Sequence, residues 1–505
     1  MEPSDSSTLT RPSSAPVTTD PTIRAARRRA IGAAAVASIS GLMFGWDAMS
    51  LNVVKKALAY HTGAGNGAMG FAISFGVLSA VLGAFLAGRL SDRVGRRVIM
   101  QVAAVLFFVA SIGTVFIGSS MGLFLFWRLW SGLAMGASMT IAPAYVSEIA
   151  PADLRGRLVS LRQAFLIVGL FVCGLLGDRM LAVAGKPTGK APQSTGVLTF
   201  AGVHLEVWQW AFVSVAAGGL LYLGSALFIP ESPRYLMARG RVDEARAVLT
   251  RTLGATQAQE RVAAISASLH DVRRHRFADV LNGRRNNLQT IVWVGIGLAA
   301  LQQLVGINAV FYYATTIWAT LGFGEQQALQ QTLIITGVKV VAILVGIALV
   351  DRLGRKPLLL AGSILMSVSL VLTATLMLTA PKAANGNPDL THSKGLALLA
   401  LIAMCSYVFA YAGTWGPLMW VLVGEMFPNR MRGAATSVAG GAEWTANYAV
   451  TLTFPVLAAW SIGTTYAIYA FFAVASIVFV LRMVPETKGR ELEEMDALAG
   501  RLEAA

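Results

Sequence analysis

Arg89-Leu-Ser-Asp-Arg-Val-Gly-Arg-Arg97 is a short basic turn set between two long apolar runs. Its pattern returns about 259 residues later as Asp351-Arg-Leu-Gly-Arg-Lys-Pro357. Other pieces return in the same order. Glu148, Pro151, Arg155 and Gly156 recur with the same internal spacing as Glu425, Pro428, Arg432 and Gly433, and Pro230-Glu231-Ser232 recurs as Pro485-Glu486-Thr487. Three motifs repeated in order, at offsets of 255 to 277, describe a chain of two similar halves.

Composition says what surrounds those halves. The 505 residues are 55% hydrophobic and 13% charged, with mean hydropathy +0.62. Soluble domains carry roughly 25% charged residues. So much apolar surface cannot be hidden from water, and the bilayer is the expected solvent. The net charge of +15 comes from Arg and Lys in short turns between apolar runs, a membrane-topology pattern rather than a nucleic-acid patch. Cys173 and Cys405 both lie in apolar runs and read as two buried thiols. Met1 to Asp20 is rich in Ser, Thr and Pro and reads as a disordered cytoplasmic tail with no signal-peptide pattern.

Twelve runs have the roughly 20-residue length that a helix needs to span the hydrocarbon core. Their expected limits are 30–50, 68–88, 98–118, 121–146, 158–180, 207–229, 288–318, 328–350, 357–379, 395–425, 434–458 and 463–484. The predicted fold is an all-α membrane protein with twelve transmembrane helices in two six-helix, pseudo-symmetric bundles. The expected division is a tail at 1–29, a first bundle at 30–230, cytoplasmic linker helices at 231–287, a second bundle at 288–484 and a tail at 485–505. The linker reads as short amphipathic helices without the apolar content for a core. The turns after spans 2, 4, 8 and 10 are dense in Arg and Lys, and those after 3, 7 and 11 have almost none. Both termini are therefore expected in the cytoplasm. Lys55, Lys56, Lys186, Lys190, Lys382 and Lys394, assigned to outer turns, weaken that bias without reversing it. A transporter made of two such halves has a natural place for substrate between them, near the bilayer midplane.

A charge at the bilayer centre costs several kcal/mol or more, so residues that carry one usually face a cavity or a partner. Four stand out: Asp47 in span 1, Arg128 in span 4, Lys339 in span 8 and Glu443 in span 11. Asp47 and Arg128 both fall in the outer part of the first half and are placed to approach one another. Such a pair is either purely structural or a proton site. A neighbouring cation favours an ionised carboxylate and apolar surroundings favour a neutral one, so conformation decides which form holds. Lys339 and Glu443, the latter three residues before Asn447, read equally as a neutralising salt bridge or as substrate contacts.

Span 7 carries Gln302-Gln303-Leu-Val-Gly-Ile-Asn308-Ala-Val-Phe-Tyr312-Tyr313. At about 100° per residue its amides spread over one broad side of the helix. Each amide offers two donors and an acceptor, which suits vicinal hydroxyls, while aromatic rings suit the apolar face of a sugar. The same amides also serve as interhelical glue, worth about 1 kcal/mol per contact. Position leaves both readings open.

At this point the chain resembles the major facilitator superfamily, and within it the sugar porter group. The matching stretches are Gly45-Trp-Asp47, the Gly88 to Arg97 turn, Tyr145 through Glu148 and Pro151 to Arg155-Gly156, and Pro230-Glu-Ser-Pro-Arg234. They continue with Gln302-Gln303 to Asn308, Asp351 to Lys356, Gly416-Pro417-Leu-Met-Trp420, Glu425 through Pro428 to Arg432-Gly433, and Pro485 to Gly489. The resemblance covers about residues 30 to 490, in the family order.

It implies alternating access about a sugar site lined by Gln163, Gln302, Gln303, Asn308 and Trp420, to which Lys339, Glu443 and Asn447 are added by position. Tyr312 and Tyr313 belong to the implied outer gate. Asp47 matches a position that is acidic in proton-coupled members, with Arg128 as its partner. Asp92, Arg96, Glu148, Arg155 and Glu231, with Asp351, Arg355, Glu425, Arg432 and Glu486, resemble the family's inner salt-bridge network. Lys339 replaces a typical Asn and Glu443 a typical Gln or Asn. Ala217, Ala211 and Ala412 stand where some relatives carry charged residues.

The expectation is a proton-coupled importer of a monosaccharide or related polyol, working as a monomer in the cell membrane without a cofactor or metal. The alternatives are a carrier of a sugar acid or amino sugar, a passive facilitator, and last a non-transporting sensor. An enzyme is not expected. There is no nucleophile–base pairing, metal-ligand cluster or phosphate loop in the sequence, and only five His.

Overall fold

The computed structural model describes residues 21–151, 154–187, 191–270, 281–282, 287–383, 388–427 and 431–487. The first half holds α1 (Pro21–Thr62), α2 (Asn66–Val94), α3 (Arg96–Val115), α4 (Met121–Ile149), α5 (Arg155–Val183) and α6 (Val207–Ala226). Three short helices follow: α7 (Pro233–Ala238), α8 (Val242–Leu253) and α9 (Ala255–His270). The second half holds α10 (Thr290–Leu304), α11 (Ile307–Thr320), α12 (Glu325–Leu353), α13 (Arg355–Thr379), α14 (Lys394–Gly413), α15 (Trp415–Met426) and α16 (Arg432–Met483).

These helices make the twelve crossings of a multi-pass membrane protein. Spans 7 and 10 are each broken in two, as α10–α11 and α14–α15. Spans 11 and 12 are both in α16. Its 52 residues would run about 78 Å at 1.5 Å per residue, far beyond the roughly 30 Å hydrocarbon core. The chain turns instead at Ser461, where the backbone is extended (φ −164°, ψ 112°). Thr464 N donates to Ser461 Oγ at 3.2 Å and so caps the last span.

The halves repeat their packing. α1 lies against α5, α2 against α4 and α3 against α6; the equivalent pairs are α10 with α16, α12 with α14, and α13 with α16. Lipid removes the hydrophobic drive between helices, so close approach through small residues matters more. Gly41, Gly45 and Gly169 supply it between α1 and α5, where an added Cβ would strike the backbone oxygen of Arg162, Leu166 or Leu42. Across the halves α1 meets α11, α2 meets α16 and α5 meets α12.

The two basic turns share one geometry. Gly95, between α2 and α3, has φ 103°, and Gly354, between α12 and α13, has φ 91°, which L side chains rarely adopt. Each turn sets the next helix N-terminus over a carboxylate. Glu231 Oε1 accepts from Arg96 N at 2.9 Å and Arg97 N at 3.2 Å. Glu486 accepts from Arg355 N at 3.1 Å and Lys356 N at 3.0 Å. These bonds satisfy amides that have no helical partner and oppose the helix dipole.

Arg96 also pairs with Asp92 at 2.9 Å and Glu148 at 3.4 Å, and Arg355 pairs with Glu425 at 3.0 Å. Ser232 donates to Glu148, as Thr487 does to Glu425. The side chains of Arg155, Asp351 and Arg432 lie outside the described residues. Glu231→Gln leaves only one acceptor oxygen and no charge at the α3 N-terminus. It is expected to cost about 1 kcal/mol, with Glu486→Gln costing a similar amount, read as matched falls in melting temperature in detergent.

Two local expectations are corrected. α7 to α9 do build a small core, from Leu236, Met237, Ala245, Leu249, Leu253, Ala258 and Ile265. The signal was the four-residue spacing of Ala245, Leu249 and Leu253 along one helix face. α1 runs to Thr62 rather than ending near residue 50, so Lys55 and Lys56 are helical and not in an outer turn. Residues 181–206 contain an unanticipated hairpin, β1 (Val197–Phe200) with β2 (Val203–Glu206). Ala201 and Gly202 turn it at φ 52° and 79°, as a two-residue I′ turn requires. A second, two-residue pair, β3 (Leu281–Asn282) and β4 (Asn287–Leu288), precedes α10.

Candidate transport site

Two charges meet inside the first half. Arg128 Nη1 on α4 donates to Asp47 Oδ2 on α1 at 3.0 Å, with Asp47 and Arg128 only 1% and 2% exposed. The same nitrogen donates to Ser131 Oγ at 3.1 Å. α2 leaves room for the guanidinium at Gly76, where a Cβ would overlap Arg128 Nη2. Breaking so deep a pair by deleting one partner costs about 3–5 kcal/mol, because the other charge is left uncompensated.

The amides of span 7 form a chain of hydrogen bonds. Asn308 Nδ2 donates to Gln303 Oε1 across the break between α10 and α11. Gln303 Nε2 donates to Gln302 Oε1 at 3.4 Å and to Glu443 Oε1, on α16, at 3.1 Å. Gln302 Nε2 donates to the carbonyls of Trp415 and Gly416 at 3.1 and 3.2 Å. Those carbonyls sit just past Thr414, where the backbone between α14 and α15 leaves the helical region (φ −130°, ψ −83°). Broken helices are tolerated in a bilayer where the freed groups are satisfied by protein or line a cavity. One network thus joins α10, α11, α15 and α16 around the two helix breaks.

The remaining expected residues distribute around that network. Gln163 on α5 is half-buried. Trp420 on α15 is 44% exposed and borders Gly440 of α16. Asn447 is buried and accepts from Thr451 Oγ1 at 3.1 Å. Lys339 does not pair with Glu443: its Nζ lies 4.9 Å from the centre of the Phe311 ring, which stacks on Phe44. Of the two readings for that couple, the direct salt bridge is therefore not formed. Tyr312 and Tyr313 are buried in α11; Tyr313 Oη donates to Thr451 O at 2.9 Å and has non-helical angles (φ −127°, ψ 18°).

Two intramembrane cations escaped the sequence reading. Lys55 lies 4.0 Å over the Tyr313 ring and donates to Thr316 Oγ1 at 3.0 Å. It was missed because span 1 was ended too soon. Arg162 sits directly before Gln163 on α5, and its position inside span 5 was a signal available from the start.

The halves are joined at the end away from the basic turns. There Asn52 Nδ2 donates to Phe311 O at 3.0 Å, and Thr315 Oγ1 to Asn52 O at 2.8 Å. Ser194 Oγ, in the short turn before the hairpin, donates to Glu325 at 2.6 Å, and Gln330 to Asp178 at 3.1 Å. At the basic end, by contrast, the pairs of Arg96 and of Arg355 with Glu148 and Glu425 each stay inside one half. Among the described residues, these bonds hold the two halves together at the far end.

Known proteins match this architecture along its length. The family model for "Sugar (and other) transporter" matches residues 33–499. The glucose transport protein of Synechocystis sp. is 40% identical over 461 residues, covering 91% of this chain and 95% of that protein. The D-xylose-proton symporter of Escherichia coli K12 is 32% identical over 495 residues, covering 92% and 94%. Among solved structures, an inward open conformation of the Escherichia coli xylose transporter XylE superposes with TM-score 0.75 at 29% identity, covering 92% of this chain and 98% of that one. XylE bound to 6-bromo-6-deoxy-D-glucose gives TM-score 0.72 at 30% identity, covering 93% and 99%.

Proposed function

Because the chain belongs to the sugar transporter family of the major facilitator superfamily, we propose that it imports a monosaccharide or related polyol by proton-coupled alternating access. It is a transporter and not an enzyme. The observation that carries the proton reading is the buried Asp47–Arg128 pair. An ionisable residue so deep in the bilayer is expensive and usually marks an ion or proton pathway. The relatives named for glucose transport and for D-xylose–proton symport support the same reading.

The geometry supports a specific sequence of events. Asp47 lies on the same helix as Asn52 and Lys55, which hold α11 at the far end. Protonation of Asp47 removes its charge–charge attraction to Arg128 and frees α1 to shift against α4. The Asn52 and Lys55 contacts ride on α1 and open with it. Substrate then enters among Gln163, Gln302, Gln303, Asn308, Trp420, Lys339, Glu443 and Asn447, with Tyr312 and Tyr313 at the outer gate. The basic end is taken as cytoplasmic, with both termini there, in the cell membrane, and the working unit is a monomer.

Purified protein in liposomes, acidified outside, is expected to accumulate a monosaccharide above its external concentration, and to stop doing so when the pH gradient is collapsed. Equilibration without accumulation would make it a passive carrier. Lys339, with no carboxylate within ion-pair distance among the described residues, favours a second reading in which a sugar acid is carried. Full competition by a neutral hexose with sugar acids inert would remove it.

A further inference from the structure

A cavity of about 150 Å³ lies between the halves at the end away from the basic turns. α1 brings Lys55 to it, α2 brings Asn66, α11 brings Thr316, and α16 brings Phe454, Pro455 and Ala459. Asn66 and Ala459 are exposed, so the cavity opens at the surface there; Phe454 and Pro455 are buried. Lys55 is the charge in this cavity. It is only 9% exposed, and no carboxylate lies within ion-pair distance of it among the described residues. Its ammonium has three donors, of which Thr316 Oγ1 takes one at 3.0 Å. The Tyr313 ring, 4.0 Å away, offers its π face, and that ring is itself pinned. Pro455 has no N–H, so the Thr451 carbonyl one turn earlier loses its helical partner, and Tyr313 Oη donates to it at 2.9 Å. The ammonium is thus fixed in position with donors to spare.

A buried cation without a counter-charge is costly, and an anion in the cavity supplies what is missing. One ammonium balances one negative charge. A dianion such as phosphate leaves its second charge unpaired in an apolar setting. Phe454, Pro455 and Ala459 suit an apolar stem, with Lys55 as the polar group that fixes orientation. Asn66 adds amide donors at the mouth. We infer that the cavity binds a small monocarboxylate with a short apolar stem, its carboxylate on Lys55 and its stem against Phe454 and Pro455. The lining helices come from both halves, so a ligand that fills the cavity holds the far end closed and slows transport. The site stands on the cavity and Lys55; the effect on transport rests on the alternating-access reading.

The test is thermal melting of the full-length protein in detergent with butyrate, its uncharged counterpart butyramide, and inorganic phosphate. Butyrate is expected to raise the melting temperature saturably, with butyramide inert and phosphate weaker. Lys55→Met keeps the stem without the charge. It is expected to weaken butyrate at least tenfold, the loss of one charge-assisted hydrogen bond. Ala459→Leu leaves Lys55 in place and fills the mouth of the cavity. It should weaken butyrate as much, and it keeps the proposal falsifiable if the Lys55 variant does not fold. In liposomes at equal pH on both sides, butyrate is expected to slow sugar counterflow through the wild-type protein, without relief as sugar is raised. An unmoved melting temperature, equal shifts from butyrate and butyramide, a larger shift from phosphate, or undiminished butyrate binding in either variant would overturn the site. Relief by sugar would put the carboxylate in the transport site and overturn it too. Butyrate binding that both variants lose, with counterflow unaffected, would overturn closure and keep the site. A wild-type protein with no sugar counterflow would overturn the transport reading, and melting alone would then decide the carboxylate site.

Discussion

Asp47→Asn is expected to abolish accumulation of substrate against its gradient while leaving exchange across the membrane measurable. Asparagine keeps the shape of the side chain and an oxygen to accept from Arg128, whose Nη1 lies 3.0 Å from the carboxylate. What it removes is the proton. The site is then held in its uncharged form throughout the cycle, so the steps that need only the neutral side chain continue and those that need proton release do not. One pH unit supplies about 1.4 kcal/mol per proton, or tenfold accumulation; the variant should reach a ratio of about one at any imposed gradient. Counterflow of labelled sugar should persist. Arg128 meanwhile loses its counter-charge in an apolar setting, so the melting temperature should fall too. Surviving pH-driven accumulation would show that Asp47 does not carry the proton.

The second large effect is expected from Gln303→Leu. Gln303 is the branch point of the network: it accepts from Asn308 and donates to Gln302 and Glu443. Leucine fills similar space and removes all three bonds. The Asn308 amide and the Glu443 carboxylate are then stranded, at about 1–3 kcal/mol each. That cost falls on stability; substrate in addition loses the Gln303 amide and meets Asn308 and Glu443 no longer held in place, so affinity should fall about a hundredfold. Equilibrium binding to purified protein, followed by tryptophan fluorescence or calorimetry, reads this directly. A lower melting temperature with unchanged affinity would instead mark the network as interhelical glue, the alternative that span 7 left open.

How much of this was legible follows from the physics of each feature. The basic turns were readable because the same motif stands in both halves, followed in the same order by its carboxylates. Glu231 and Glu486 lie 135 and 131 residues beyond the helix ends they cap, and both halves show the same bonds. The span count was readable because the bilayer imposes a length. Where the chain leaves the bilayer that constraint lapses, and so α1 was ended short of Thr62 and the hairpin at Val197–Glu206 went unseen. The small core under α7 to α9 was missed because its alanines count little toward hydrophobicity but pack closely.

The sequence alone determined that the chain is two related bundles of membrane-spanning helices, with a carboxylate and an arginine inside the first and an amide-rich helix inside the second. It did so because lipid penalises every unpaired polar group, which leaves few reasons for such residues to be there. Only the tertiary structure decided who meets whom. Glu443 meets Gln303 rather than Lys339, and Lys339 rests on an aromatic ring. Those partnerships depend on how helices from opposite halves are rotated and broken at Gly306 and Thr414, and a side chain's reach across a cavity leaves no mark in the spacing of its own helix.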